Sequence, residues 1–143
     1  VDVDNINVLS ESSYNFTSTR YMFYKATEVP ILESWNVSGL TDSSFMFAHS
    51  TISNTSFLRE WDVRKIEALA YMFYGVSNFN EDLSKWHLDS LPRPSLNTAN
   101  DGTSVGLFQL TNMTTCSLYP SKIACPYASP PSPSPPPPSP PPP

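Results

Sequence analysis

His49 and His87 are the only side chains whose ordinary titration falls near neutral pH, so acid–base chemistry would start from them. Neither sits in a catalytic motif. His87 occupies a recurring position filled elsewhere by Asn36 and Asp62, and His49 one filled by Lys25 and Gly75. Both are expected to face solvent with no partner implied. The carboxylates Glu60, Asp62, Glu81 and Asp82 are scattered, and only a tertiary accident would pair them for glycoside hydrolysis. Four glycines supply no phosphate-cradling loop. Asp2, Asp4, Asn5 and Asn7 suggest calcium, yet the spacing misses an EF-hand loop and lacks its distal glutamate, so an exposed capping segment is expected. These residues predict neither an enzyme nor a cofactor.

Covalent chemistry has clearer candidates. Asn15, Asn36, Asn54 and Asn112 each open an Asn-x-Ser/Thr sequon, the acceptor pattern for N-glycosylation. Asn36 stands between two side chains expected to point inward, Trp35 and Val37, and so should point out. Cys116 and Cys125 are the only cysteines, nine residues apart, with Pro120 and Pro126 nearby. In a secreted chain such a pair most simply closes a disulfide, whereas a metal site would need more ligands than the neighbourhood offers.

Proline is concentrated at one end. Eleven of the sixteen prolines fall in residues 129–143, where serine supplies the rest: Ser129, Pro130, Pro131, Ser132, Pro133, Ser134, Pro135, Pro136, Pro137, Pro138, Ser139, Pro140, Pro141, Pro142 and Pro143. The rings fix φ and remove the backbone donor, so such a run favours polyproline II, reaching about 45 Å at about 3.1 Å per residue. A boundary follows, with a folded unit at 1–128 and a Pro/Ser-rich tail at 129–143.

Charge and hydropathy remove other classes. Charged residues make up 15% of the chain, below the roughly 25% of a typical soluble protein. The net charge is −5 without a basic cluster, which argues against nucleic acid. No run of 18 apolar residues is present to span a membrane as a helix. The first residue is Val1, with no charged-then-apolar leader after it, as expected for a processed mature chain or a fragment.

The elements that position these groups come from an internal repeat. Trp35, Trp61 and Trp86 are spaced 26 and 25 residues apart, and Met22-Phe23, Met46-Phe47 and Met72-Phe73 are spaced 24 and 26. An aromatic precedes each pair (Tyr21, Phe45, Tyr71), and a leucine stands three residues before each tryptophan (Leu32, Leu58, Leu83). Val37, Val63 or Leu88 follows at plus two, then Leu40, Ile66 or Leu91 three further on. Rare residues repeating in phase are strong evidence of a repeat architecture. Eleven residues separate Trp35 from Met46 and Trp61 from Met72, so that half is the scaffold and length variation falls on the other.

The alternation Trp-x-Val predicts a short strand, and the aromatic-Met-Phe cluster one or two helical turns with its methionines and rings in the core. The expected fold class is α+β: a short solenoid of about three strand-turn-helix repeats, with capping ends and the polyproline II tail. Residues 1–15 should form an atypical N-terminal cap. The position for a fourth methionine is Asn97, near Pro92 and Pro94, so the array should stop there; residues 104–110 could add a last strand and the region to Tyr127 a closing cap.

Phe79-Asn80-Glu81-Asp82-Leu83-Ser84-Lys85-Trp86 and Trp35-Asn36-Val37-Ser38-Gly39-Leu40-Thr41-Asp42 resemble the repeat of BspA-like, DUF285-type surface proteins, relatives of leucine-rich repeats. The middle copy, with Phe57-Leu58-Arg59-Glu60-Trp61-Asp62-Val63, departs from it by lacking the Phe-Asn element. The resemblance covers roughly residues 16–91 and implies a leucine-rich-repeat-like solenoid on a cell surface or in an extracellular matrix, with no catalytic residue to carry over. The tail, with serine followed by four prolines twice, resembles extensin-type or algal wall glycoproteins, which implies hydroxyproline and short O-linked sugars along it. Together these suggest a secreted structural glycoprotein carrying N- and O-glycans, self-associating into a fibre with each tail on the next subunit. The other reading is an adhesion or ligand-binding module whose recognition face carries Asn36, Asp62 and His87, with the tail as a stalk or stiff spacer.

Overall fold

Each aromatic-Met-Phe run sends its backbone N–H groups alternately in two directions. The N–H groups of Tyr21, Phe23 and Lys25 donate to the carbonyls of Ser44, Met46 and Ala48 in the next copy, at 3.2, 2.9 and 2.9 Å. Those of Phe45, Phe47 and His49 donate to Ala70, Met72 and Tyr74, and those of Phe73 and Gly75 to Leu107 and Gln109. The residues between them close local turns: Met22, Tyr24 and Ala26 donate to the carbonyls three residues back, as do Met46, Ala48, Ser50, Met72, Tyr74 and Val76. Buried backbone donors are thereby paired, half along the stack and half within a copy. These features belong to a computed structural model that describes residues 16–92, 106–127 and 132–143.

This pattern overturns the α+β expectation. Among the described residues there is no α-helix and no β-strand, only 3-10 helices at Ser56–Glu60 and Cys116–Leu118. Isolated parallel bridges join Ser18 to Asp42 and Asp42 to Ala68, away from the Trp-x-Val positions expected to form strands, which carry no strand. The strand-turn-helix solenoid is therefore replaced by stacked irregular coils. Tyr21, Lys25, Phe45, His49 and Tyr71 hold φ between 55 and 59°, and Gly75 holds 71°. A left-handed residue every fourth position ends any right-handed helix. The turns closed three residues back remove every second rung a strand ladder would need. Around the tryptophans the same interruption recurs, with Trp35 and Leu40 donating to Leu32 and Val37.

Many of the repeated apolar side chains nevertheless lie in the core, as the spacing predicts. Phe23, Phe47, Phe73 and Phe108 stack in one buried column, with ring centroids 5.6, 5.6 and 5.9 Å apart and planes within 11° of parallel. Leu32, Leu58 and Leu83, then Leu40, Ile66 and Leu91, form parallel buried columns, as do Met46, Met72 and Leu107. Trp61 and Trp86 are buried while Trp35, in the first copy, is half-covered. Truncating a column ring such as Phe47 to alanine should cost about 3–5 kcal/mol.

The array does not stop after the third copy. Gly106-Leu107-Phe108-Gln109-Leu110 takes the place of Tyr71-Met72-Phe73-Tyr74-Gly75 one step further along, accepting the Phe73 and Gly75 N–H groups at 3.2 and 3.0 Å. Residues 104–110 were expected to add a strand; residues 106–110 instead form a fourth coil. Beyond it the Cys116 and Cys125 sulfurs are 2.16 Å apart, with Cα atoms at 5.3 Å. Between them, Tyr119 donates its hydroxyl to the Met113 carbonyl at 2.8 Å. Residues 132–143 carry no secondary structure and are exposed throughout. The expected cap at 1–15 lies outside the described residues.

Candidate functional site

The left-handed positions decide which rings reach the surface. Tyr21, Phe45 and Tyr71 are the first left-handed residue of each copy, and the turn there carries their rings out of the core while Phe23, Phe47 and Phe73 stay inside. The outer rings stack on one another, Tyr21 on Phe45 at 4.7 Å and Phe45 on Tyr71 at 4.9 Å, nearly parallel. A second column runs beside them: Tyr24 packs edge-on against His49 at 6.2 Å, and His49 against Tyr74 at 5.0 Å. Tyr21 to Tyr24 and Tyr71 to Tyr74, edge-on at 5.6 and 5.5 Å, tie the two columns together. The result is a two-column aromatic ladder along the stack.

Its two ends differ. At the first copy, the Arg20 guanidinium lies 5.4 Å from the Tyr21 centroid and the Lys25 ammonium 5.2 Å from that of Tyr24. Arg20 also pairs with Asp42 at 3.2 Å. At the far end glycines make room. A Cβ on Gly106 would fall 2.4 Å from Tyr71 Cε1, and one on Gly75 2.6 Å from His49 Nδ1, so both rings lie flat over the following copy only because glycine is there. Beyond Tyr74 the surface dips into a groove of about 310 Å³ whose walls include Leu110, Tyr119, Pro126 and Tyr127. Burial pushes the Tyr119 phenol up to about 12, with Tyr127 adding to it.

A family model described as "Mycoplasma protein of unknown function, DUF285" matches residues 12–95. The chain belongs to the DUF285 family. The match spans the three aromatic-Met-Phe runs and both ladder columns; the fourth coil, the groove walls other than Tyr74, the cysteine pair and the tail of this DUF285 protein lie beyond it. No curated protein and no solved structure matched the chain.

Away from the ladder, the structure of the DUF285 protein sorts the residues singled out by sequence. Asn36, Asn54 and Asn112 are exposed, and Asn15 lies outside the described residues. Asn36 Oδ1 accepts the Ser38 hydroxyl at 2.7 Å and its N–H at 3.2 Å; Asn54 holds Ser56 the same way at 2.7 and 3.0 Å. Ser132 to Pro143 are exposed, whereas Ser129, Pro130 and Pro131 are outside the described residues, as are Asp2, Asp4, Asn5 and Asn7. His87 is exposed. Asp62 is held by Arg64 at 2.9 and 2.7 Å, and that guanidinium, outweighing desolvation, pulls its carboxyl down to about 2.

Glu81 is the one deeply placed carboxylate among these, 5% exposed. Burial alone would raise its pKa. Hydrogen bonds from the Thr55 hydroxyl at 2.7 Å, from Arg59 Nε and from the Asp82 N–H at 3.0 Å prevail and hold it below the usual range. With both oxygens occupied, it fastens the Ser56–Glu60 turn to the third copy. Glu60 and Asp82 form no pair with it.

Sequence reasoning missed the ladder. It assigned the Met-aromatic cluster to the core, which holds for Met46, Met72, Phe23, Phe47 and Phe73, but Tyr21 and Tyr24 are exposed and Phe45, Tyr71 and Tyr74 half-exposed. His49, expected to face solvent without a partner, is exposed yet stands between two tyrosine edges. The available signal was Tyr24 and Tyr74, each two residues after its methionine.

Proposed function

We propose that this DUF285 protein is an extracellular structural glycoprotein, the protomer of a surface or extracellular fibre in which the tail at 129–143 contacts the neighbouring subunit. The observation that carries the reading is the stack itself. Copies joined by backbone hydrogen bonds in one direction build a quasi-one-dimensional body, and a head-to-tail contact between such bodies whose rotation does not close a ring gives a filament. The exposed Ser132 to Pro143 segment supplies a stiff connector. The exposed sequons at Asn36, Asn54 and Asn112, the cysteine pair and the Ser/Pro composition support an extracellular, glycosylated setting, with hydroxyproline and O-glycans on the tail and the division at residue 128 as parts of the same proposal.

The reading assigns no catalysis. Glu81 is committed to Thr55 and Arg59, and Asp62 to Arg64, which supports a structural use of both carboxylates. Removing residues 129–143 is the test: the shortened chain should remain folded and monomeric, and fibres that persist without the tail would overturn the mechanism. A second reading, an adhesion module, draws support from an open cleft of about 470 Å³ lined by Ser38, Asp62, Arg64 and Lys65. Under it, Arg64→Ala and Lys65→Ala would abolish attachment to a surface and leave assembly unchanged.

A further inference from the structure

We infer that the aromatic ladder is the docking site for the serine–proline tail of a second copy of this chain. The inference rests on the fibre reading and supplies its contact. A proline run presents rigid rings and carbonyl acceptors with no backbone donors at its prolines, and what receives it elsewhere is a row of aromatic side chains. Its conformation is fixed before binding, so little chain entropy is lost on docking.

The spacing matches. Two successive ladder steps, 4.7 and 4.9 Å, equal one turn of polyproline II, about 9.3 Å for three residues. Every third tail residue therefore meets every second outer ring, and the Tyr24–His49–Tyr74 column runs beside the same axis. Residues 132–143 would extend about 37 Å, enough to cover the ladder and the groove beyond Tyr74.

Exposure is complementary on the two partners. The ladder and groove leave Tyr21 46%, Tyr24 40%, Leu110 66% and Tyr127 58% exposed, the larger part of the exposed bulky apolar side chains among the described residues. Every described tail residue is exposed too, so the tail is not laid on its own body. It follows Tyr127, a wall of the groove at the ladder's far end, after residues 128–131, which lie outside the described ones. The tail is uncharged, and the cations at the first copy are already engaged with Tyr21, Tyr24 and Asp42, which fits an uncharged ligand.

The test uses the full chain in sedimentation velocity across a concentration series. Tyr21→Asn and Tyr71→Asn remove ladder rings while keeping a residue that tolerates the left-handed backbone held there, φ 59 and 56°. Tyr24→Ser opens the second column, and Ile31→Ser, at another exposed apolar position, is the control. Each ladder variant should weaken self-association about tenfold, with Ile31→Ser unchanged. On the unaltered chain, excess synthetic peptide of residues 129–143 should dissolve the assemblies and a Gly/Ser peptide of equal length should not, which tests the site even where a variant unfolds. Folded ladder variants with undiminished association overturn the site; if deletion of 129–143 still abolishes assembly, the fibre reading survives that failure. Assembly that persists without the tail, or no assembly at any concentration, removes both. Dissolution by maltohexaose but not by the tail peptide overturns the inference in favour of a sugar-binding face.

Discussion

Trp61 and Trp86 occupy the same register in successive copies and are both buried, yet their indole N–H groups meet different fates. Trp86 Nε1 donates to the Leu58 carbonyl at 2.7 Å across the copy boundary. Trp61 Nε1 is buried without a hydrogen-bond partner among the described residues. Replacing each by phenylalanine removes the same atoms, so the cavity cost largely cancels in the comparison. Trp86→Phe also loses a hydrogen bond worth about 1 kcal/mol net; the Leu58 carbonyl keeps the longer Trp61 backbone N–H at 3.3 Å, so it is not orphaned. Trp61→Phe instead removes a desolvated donor and recovers about 1 kcal/mol. Trp86→Phe should therefore be the more destabilising by about 2 kcal/mol, read as the difference in urea midpoints by circular dichroism at constant slope. Equal losses, or a larger loss at Trp61, would refute the hydrogen-bond reasoning.

Gly106→Ala places a methyl 2.4 Å from the Tyr71 ring at a φ of 66°, and should cost about 1–3 kcal/mol with a changed near-ultraviolet tyrosine signal. Glu81 is held below its usual range when folded, so its stabilisation is full above the unfolded value near 4.5 and is lost as pH falls through the lower folded value. Glu81→Gln should flatten the stability-against-pH curve in that acid window; an unchanged slope would contradict the assignment. Replacing Cys116 and Cys125 by serine should lower stability by about 3 kcal/mol on loop length alone, measured by denaturant midpoint.

Much of the packing was legible because period and residue type report which side chains share a column. Leu32, Leu58 and Leu83, or Phe23, Phe47 and Phe73, align at nearly constant spacing whatever backbone carries them. The backbone itself was not legible. Left-handed φ is advertised by glycine or asparagine, but here Tyr21, Lys25, Phe45, His49 and Tyr71 adopt it, and only Gly75 and Gly106 give the sign. Without it, Trp-x-Val read as a strand and the Met-Phe run as a helix, although stacking hydrogen bonds sustain a third arrangement. The fourth coil was placed at residues 104–110 but read as a strand, because it begins 35 residues after Tyr71, not 25, and carries Gly-Leu-Phe in place of Tyr-Met-Phe. The ladder escaped for a related reason: with a helix assumed, rings three apart, such as Tyr21 and Tyr24, share the buried face, whereas in the coil both turn outward.

The fibre reading is tested most directly by electron microscopy of the native chain at working concentration. Regular filaments, with density for residues 129–143 seated on an adjacent subunit and sugar density at Asn36 and Asn54, are the predicted result. Dispersed single particles with the tail projecting into solvent would contradict it.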